Sequence, residues 1–106
     1  MAAALDFNDS GNSGATYTVD WSVSNLQKVT LTANCTLTFS NAADGIPLIL
    51  MLAQDATGTR LATWPAAVKW PAGVAPVLTI TAAKIDIVQF VSDGTNFWGF
   101  TFGLNY

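Results

Sequence analysis

Histidine and glutamate are absent from this chain: all seven acidic residues are aspartates, and only four cations offset them. Hydrolytic catalysis needs a base set against a nucleophile, or two facing carboxylates. Asp86 and Asp93 are the pair that a hairpin would bring closest. Each has a plainer role, Asp93 in a turn and Asp86 two residues from Lys84. No enzymatic activity is expected. There is no Cys/His spacing for zinc, and the stretch DGTN lacks the dense oxygen ligands of a calcium loop, so neither metal nor cofactor is expected. The single cysteine, Cys35, excludes an internal disulfide. Lys28, Arg60, Lys69 and Lys84 are scattered and form no phosphate-binding patch, which argues against nucleic acid as a partner. The longest apolar run, 46–53, falls far short of the ~20 residues of a membrane helix. The opening MAAALDFNDS has neither the basic region nor the apolar stretch of a signal peptide, so synthesis without secretion is expected.

What the chain does have is apolar surface. It is 51% hydrophobic and only 10% charged, against a usual ~25%. Its 106 residues suit one domain, and a domain of that size buries only about two-thirds of its unfolded surface. The remainder must therefore be apolar or hydroxyl-bearing, which favours an oligomer or a larger assembly over a free monomer.

Residues 1–15 read as an N-terminal arm, because NDSGNSGA is turn-forming and lacks periodicity. Within it, Ala2, Ala3, Ala4, Leu5 and Phe7 form a short apolar tip, either a frayed end or a tether for a neighbour. From Tyr17 the pattern turns to strands, and residues 16–106 form the domain. VTLTANCTLTF alternates without a fault: Val29, Leu31, Ala33, Cys35, Leu37 and Phe39 on one side, Thr or Asn on the other. A hairpin at 33–35 would pair Leu31 with Leu37, and one long strand fits the same parity. Either way, one face is buried and the other is a lawn of threonine.

IPLILMLAQ is apolar on both parities and reads as a strand covered on both faces. A thin two-layer domain covers only one face of each sheet. So Leu48, Leu50 and Leu52, or Ile49 and Met51, are expected at a contact between subunits. Short strands are expected at 60–64, 68–70 and 77–81. KIDIVQFVSDGTNFWGFTF is a hairpin turning at Asp93-Gly94. No stretch carries a 3.6-residue apolar period. The fold class is all-β, a small sandwich or jelly-roll-like domain with a short arm.

The aromatic residues leave two readings open. Trp64, Trp70 and Trp98, with Asp55 and Asn96 near them in sequence, have the residue types of a face that stacks sugar rings and bonds their hydroxyls. Large aromatics in small β domains also serve as core or interface anchors, and that is the stronger expectation. In TWPAAVKWPAG, each Trp-Pro pair ends a short strand, because the residue before Pro is extended and Pro donates no ladder bond.

Several pieces together carry a resemblance: Gln54-Asp55 with Gly58 and Arg60, Trp64-Pro65, Lys69-Trp70-Pro71, Lys84 with Asp86, and Asp93-Gly94-Thr95. Across about residues 20–100 the chain resembles a small β domain of tailed-bacteriophage virion structural proteins, often the terminal domain of a tail fibre. That resemblance implies a virion structural role, a homotrimer and no enzymatic activity, and it specifies no ligand. Only about twenty residues precede the domain, too few for a fibre shaft. The expected role is therefore a trimeric capsid decoration or short head fibre, with 2–7 gripping the major capsid protein. The alternative is a tail-fibre or tail-tip module that binds a host surface glycan. A Lys84/Asp86 pair bridging to Arg60 or Asp55 of a neighbouring subunit is a further expectation; the plainer reading is a solvated strand end.

Overall fold

A computed structural model describes residues 7–106 as nine strands in two facing sheets. Six strands alternate between the sheets along the chain: β1 (Phe7–Asn12), β2 (Thr16–Asp20), β3 (Leu26–Leu31), β4 (Cys35–Ser40), β5 (Pro47–Gln54) and β6 (Ala62–Thr63). β1, β3 and β5 pair in parallel in one sheet, and β2, β4 and β6 pair in parallel in the other. The chain thus winds in three flattened turns. β7 (Val68–Lys69), a 3-10 turn at Pro71–Gly73, and the hairpin of β8 (Ile85–Ser92) and β9 (Phe97–Gly103) complete it. The larger sheet has the order β1-β3-β5-β8-β9-β7 and the smaller β2-β4-β6.

The all-β, two-sheet architecture is the expected one, and of the two forms anticipated it is the sandwich. The perfect alternation in VTLTANCTLTF does not make a hairpin or a single strand. β3 and β4 lie in opposite sheets, and residues 32–34 carry the chain across the gap. Val29 and Leu31 therefore meet Cys35 and Leu37 face to face in one core, while the exposed threonines fall on the outside.

Three further expectations are corrected. The expected arm, 1–15, contains the strand β1, Phe7–Asn12, which adds to β3 with Phe7 opposite Leu26. Ala2, Ala3, Ala4 and Leu5 lie outside the described residues. Leu48, Leu50 and Leu52 are not at a subunit contact: they point between the sheets and are 1%, 0% and 3% exposed. Ile49 and Met51 face outward and are half-buried. The strand expected at 77–81 does not form: the segment pairs with no strand, and its Thr79 is tied to side chains instead.

Two buried polar side chains at one end of the larger sheet hold the loops there. Gln54 Nε2 donates to the carbonyls of Arg60 and Thr79 (2.9 and 3.0 Å), and its Oε1 accepts the Arg60 amide (3.0 Å). Asp86 accepts the amides of Thr79 (2.6 Å) and Asn105 (2.9 Å). Both of these buried side chains are thus paired, as burial demands. Between them runs the turn after β5. Asp55 Oδ1 accepts the amides of Thr57 and Gly58 (3.1 and 2.9 Å), and its Oδ2 accepts Arg60 NH2 (3.1 Å). Gly58 is obligatory here: its φ is +72°, and a Cβ would sit 2.6 Å from the Ile80 carbonyl oxygen.

Candidate functional site

The aromatic residues divide sharply in environment. Trp64 and Trp70 meet edge to face at 5.2 Å, and each ring lies 5.7 Å from Phe90, which is fully buried. Phe90 also receives Trp21 and Phe39 at 6.4 and 5.1 Å. The two Trp-Pro tryptophans therefore close the part of the core that the two-residue strand β6 is too short to cover. Gly99 admits this packing, since a Cβ there would meet the Trp70 ring at 2.8 Å. Each Trp directly follows a strand, β6 or β7, as the Trp-Pro pattern implies. Trp64 also floors one side of an open apolar groove of about 400 Å³ between β6 and residues 75–80.

Trp98 is different. It lies on the outer face of β9, 49% exposed, at the end of the strand where the hairpin turns. Its indole N–H donates to Asp93 Oδ2 at 2.9 Å. Asp93 Oδ1 in turn accepts the amides of Thr95 and Asn96 (2.9 and 2.7 Å). These bonds, with the backbone contribution first, hold the Asp93 carboxyl below its ordinary value. The turn thus fixes the indole from one edge while about half of the residue stays exposed. Lys69 of β7 pairs with Trp98, and Val91 of β8 flanks it on the other side.

This end of the molecule is polar. The loops 21–25, 41–46 and 93–96 converge on it: the Gly45 amide bonds the Ser92 carbonyl (3.1 Å), and Asn25 Nδ2 bonds the Pro47 carbonyl (3.1 Å). Asp20 at the end of β2 accepts the Ser22 hydroxyl (2.6 Å) and Asn41 Nδ2 (3.1 Å), which hold its carboxyl below the usual range, Ser22 first. Asp44 lies beside Gly94, close enough that a Cβ there would meet its Oδ2 at 3.1 Å.

Of the sugar-contact residues expected from sequence, then, only Asn96 and Trp98 come together at an exposed corner. Trp64 and Trp70 belong to the core wall. Asp55 is at the opposite end, paired with Arg60 of its own chain; Arg60, first, draws its carboxyl down. The intersubunit bridge expected for Lys84 and Asp86 is corrected by the same geometry, since Asp86 turns inward and is buried. Asp86 and Asp93 are separated by the length of β8, roughly 23 Å at ~3.3 Å per residue. That distance is several times what two carboxylates flanking a glycosidic bond require. Lys69 was missed from sequence. Its signal was legible, however: it alternates with Trp70, so packing Trp70 inward turns Lys69 outward.

The residues that carried the phage resemblance are thus mostly those that shape the fold: the Gln54, Asp55, Gly58 and Asp86 clamps, the Trp64 and Trp70 wall, and the Asp93 turn. Comparison with known families agrees. The family described as "Putative phage tail fibre C-terminal domain" matches residues 15–97. No curated protein and no solved structure gives a significant match. With most of its length matched, and with the motif residues building its core and loops, this chain belongs to the phage tail fibre C-terminal domain family and is a virion structural component.

Proposed function

We propose that the chain is the host-facing module of a phage tail fibre, which binds a surface polysaccharide at its hairpin end and acts without catalysis. The observation that carries this is Trp98, an exposed indole pinned to Asp93 at a loop end rich in Asp, Asn, Ser and Thr. An indole face held in one orientation offers a pyranose ring an apolar floor at low entropic cost. Lys69 and Asn96 supply a donor and an amide within the same corner for the ring hydroxyls.

The test is binding of purified host surface polysaccharide to wild type, Trp98→Ala and Trp98→Phe. Trp98→Ala is expected to lower affinity at least tenfold, with Trp98→Phe between the two. Equal affinity for all three overturns the reading. The capsid-decoration role has less support, because the family that matches the chain is described as a tail fibre domain and Phe7 is engaged in β1. Copy number per virion separates the two. A handful of copies fits a tail fibre, and a count close to that of the shell protein fits a decoration.

A further inference from the structure

The exposed indole of Trp98 is not alone on its strand. Alternate side chains of β9 turn outward, so Trp98 and Phe100 share the outer face at a spacing of about 6.6 Å. Phe102 follows, the extra residue of a bulge between the pairs Val88–Thr101 and Ile87–Gly103. The three are 49%, 41% and 60% exposed. A fourth ring joins them. Tyr106 exchanges both backbone bonds with Ile85 (2.9 and 3.3 Å), and its ring takes the place of the side chain that Gly103 lacks. A Cβ on Gly103 would meet Tyr106 Cζ at 2.7 Å. Tyr106 is itself 61% exposed. From Trp98 to Gly103 this file of rings runs roughly 17 Å along the strand.

We propose that the file is an extended track for a linear polysaccharide, held along its chain across several sugars, with Trp98 as the first contact. The inference rests on the glycan reading of Trp98 and deepens it from one sugar to a polymer. Three observations favour that occupant. The rings repeat at a spacing comparable to that of successive sugars in an extended chain, and each offers an apolar face. The edge of β9 beside them is mostly open, because β7 pairs with it only at Phe97 and Trp98. An open edge carries unpaired N–H and C=O groups, which sugar hydroxyls can bond as donors and acceptors. Residues 94–106 contain no charged side chain, which suits a hydroxylated polymer and offers a polyanion little. Gln89, paired with Phe100, adds an amide alongside. A peptide strand added to the same edge would lie in the plane of the sheet, beside the rings and not over them.

The test is calorimetric titration with purified host surface polysaccharide and with its fragments, graded from disaccharide to octasaccharide. Burying roughly 50 Å² of ring face is worth close to tenfold in affinity. Wild-type affinity is therefore expected to rise about tenfold or more from the shortest fragments to the longest. Phe100→Ser/Phe102→Ser, with an unchanged circular dichroism spectrum, is expected to bind disaccharide as wild type does and to lose that gain with length. If the double variant does not fold, Tyr106→Ala takes its place, with the loss again confined to the long fragments. Length-independent binding that Trp98→Ala abolishes overturns the track and leaves Trp98 as a single-sugar site. No binding of the polysaccharide by wild type overturns both readings, so the two failures are told apart. A double variant that binds the polymer as wild type does but sediments at a different mass shows that a second copy covers the rings, and overturns the proposal.

Discussion

The outer face of the smaller sheet and the outer face of the larger one are built on the same core by the same alternation, yet they present opposite surfaces to their surroundings. On β2 and β4, Thr16 stands opposite Thr36, and Thr18 opposite Thr38 with their hydroxyls 2.6 Å apart. Threonine holds a strand as well as valine does, because both are β-branched, and its hydroxyl keeps that face wet. On β5, β8 and β9 the outward positions are Ile49, Met51, Ile87, Val91, Phe100 and Phe102. The inner residues decide that there is a sandwich. The outer ones decide what each face meets.

Breaking what the two faces share gives the largest effect. Phe90 is fully buried, and four aromatic rings gather on it: Trp21, Phe39, Trp64 and Trp70. Phe90→Ala is expected to cost about 3–5 kcal/mol in urea unfolding, because the Trp64 and Trp70 wall cannot collapse into the cavity. A loss under about 1 kcal/mol would mean that the wall repacks freely.

Sharpening the contrast needs a smaller change. Converting Thr16, Thr18, Thr36 and Thr38 to Val makes the second face apolar without touching the core. Stability is expected to move by no more than about 1 kcal/mol. Association is expected to change qualitatively, to larger species than wild type, as read by light scattering. Unchanged mass would show that apolar character alone does not drive assembly.

Acidification should barely touch either face, since they hold so few titratable groups, and should loosen the loops instead. The carboxyls of Asp20, Asp55 and Asp93 are all lowered by bonds made in the folded state. Their contribution is therefore present above the ordinary value of 3.8 and is lost as pH falls through their lowered folded values. The melting temperature is expected to be flat from neutrality to about pH 5 and to fall below about pH 4. Asp55→Asn should flatten part of that slope, and an unaltered slope would remove Asp55 from the account.

The sequence made the period-two elements legible, because alternation is local: β5, the β8–β9 hairpin and the threonine face can all be read from it. It did not reveal which strand lies beside which. Alternation assigns a side chain to a face and says nothing of the neighbour, so β3 and β4 could pass for a hairpin while belonging to different sheets. β1 escaped notice because FNDSGN is composed of poor strand formers, which an edge position tolerates. Trp98 and Asn96 were found because they share one turn. Trp64 and Trp70 were left open between core and sugar contact, with the core the stronger expectation, because the residue that claims them, Phe90, comes twenty or more positions later in the chain.

The parallel winding has a consequence for the order in which the protein can form. Phe7 pairs with Leu26 and Thr16 with Thr36, so each turn lies on one laid down about twenty residues earlier. Leu50 must wait for Val88, and the loop closed by that contact is nearly twice as long. Entropy of closure and contact order both favour the shorter spans. On a ribosome, β1 to β6 can therefore stack in sequence as they emerge, while the free edge of the apolar β5 lacks its partner until β8 arrives. The period of greatest vulnerability to aggregation is that interval, and the last fifth of the chain ends it.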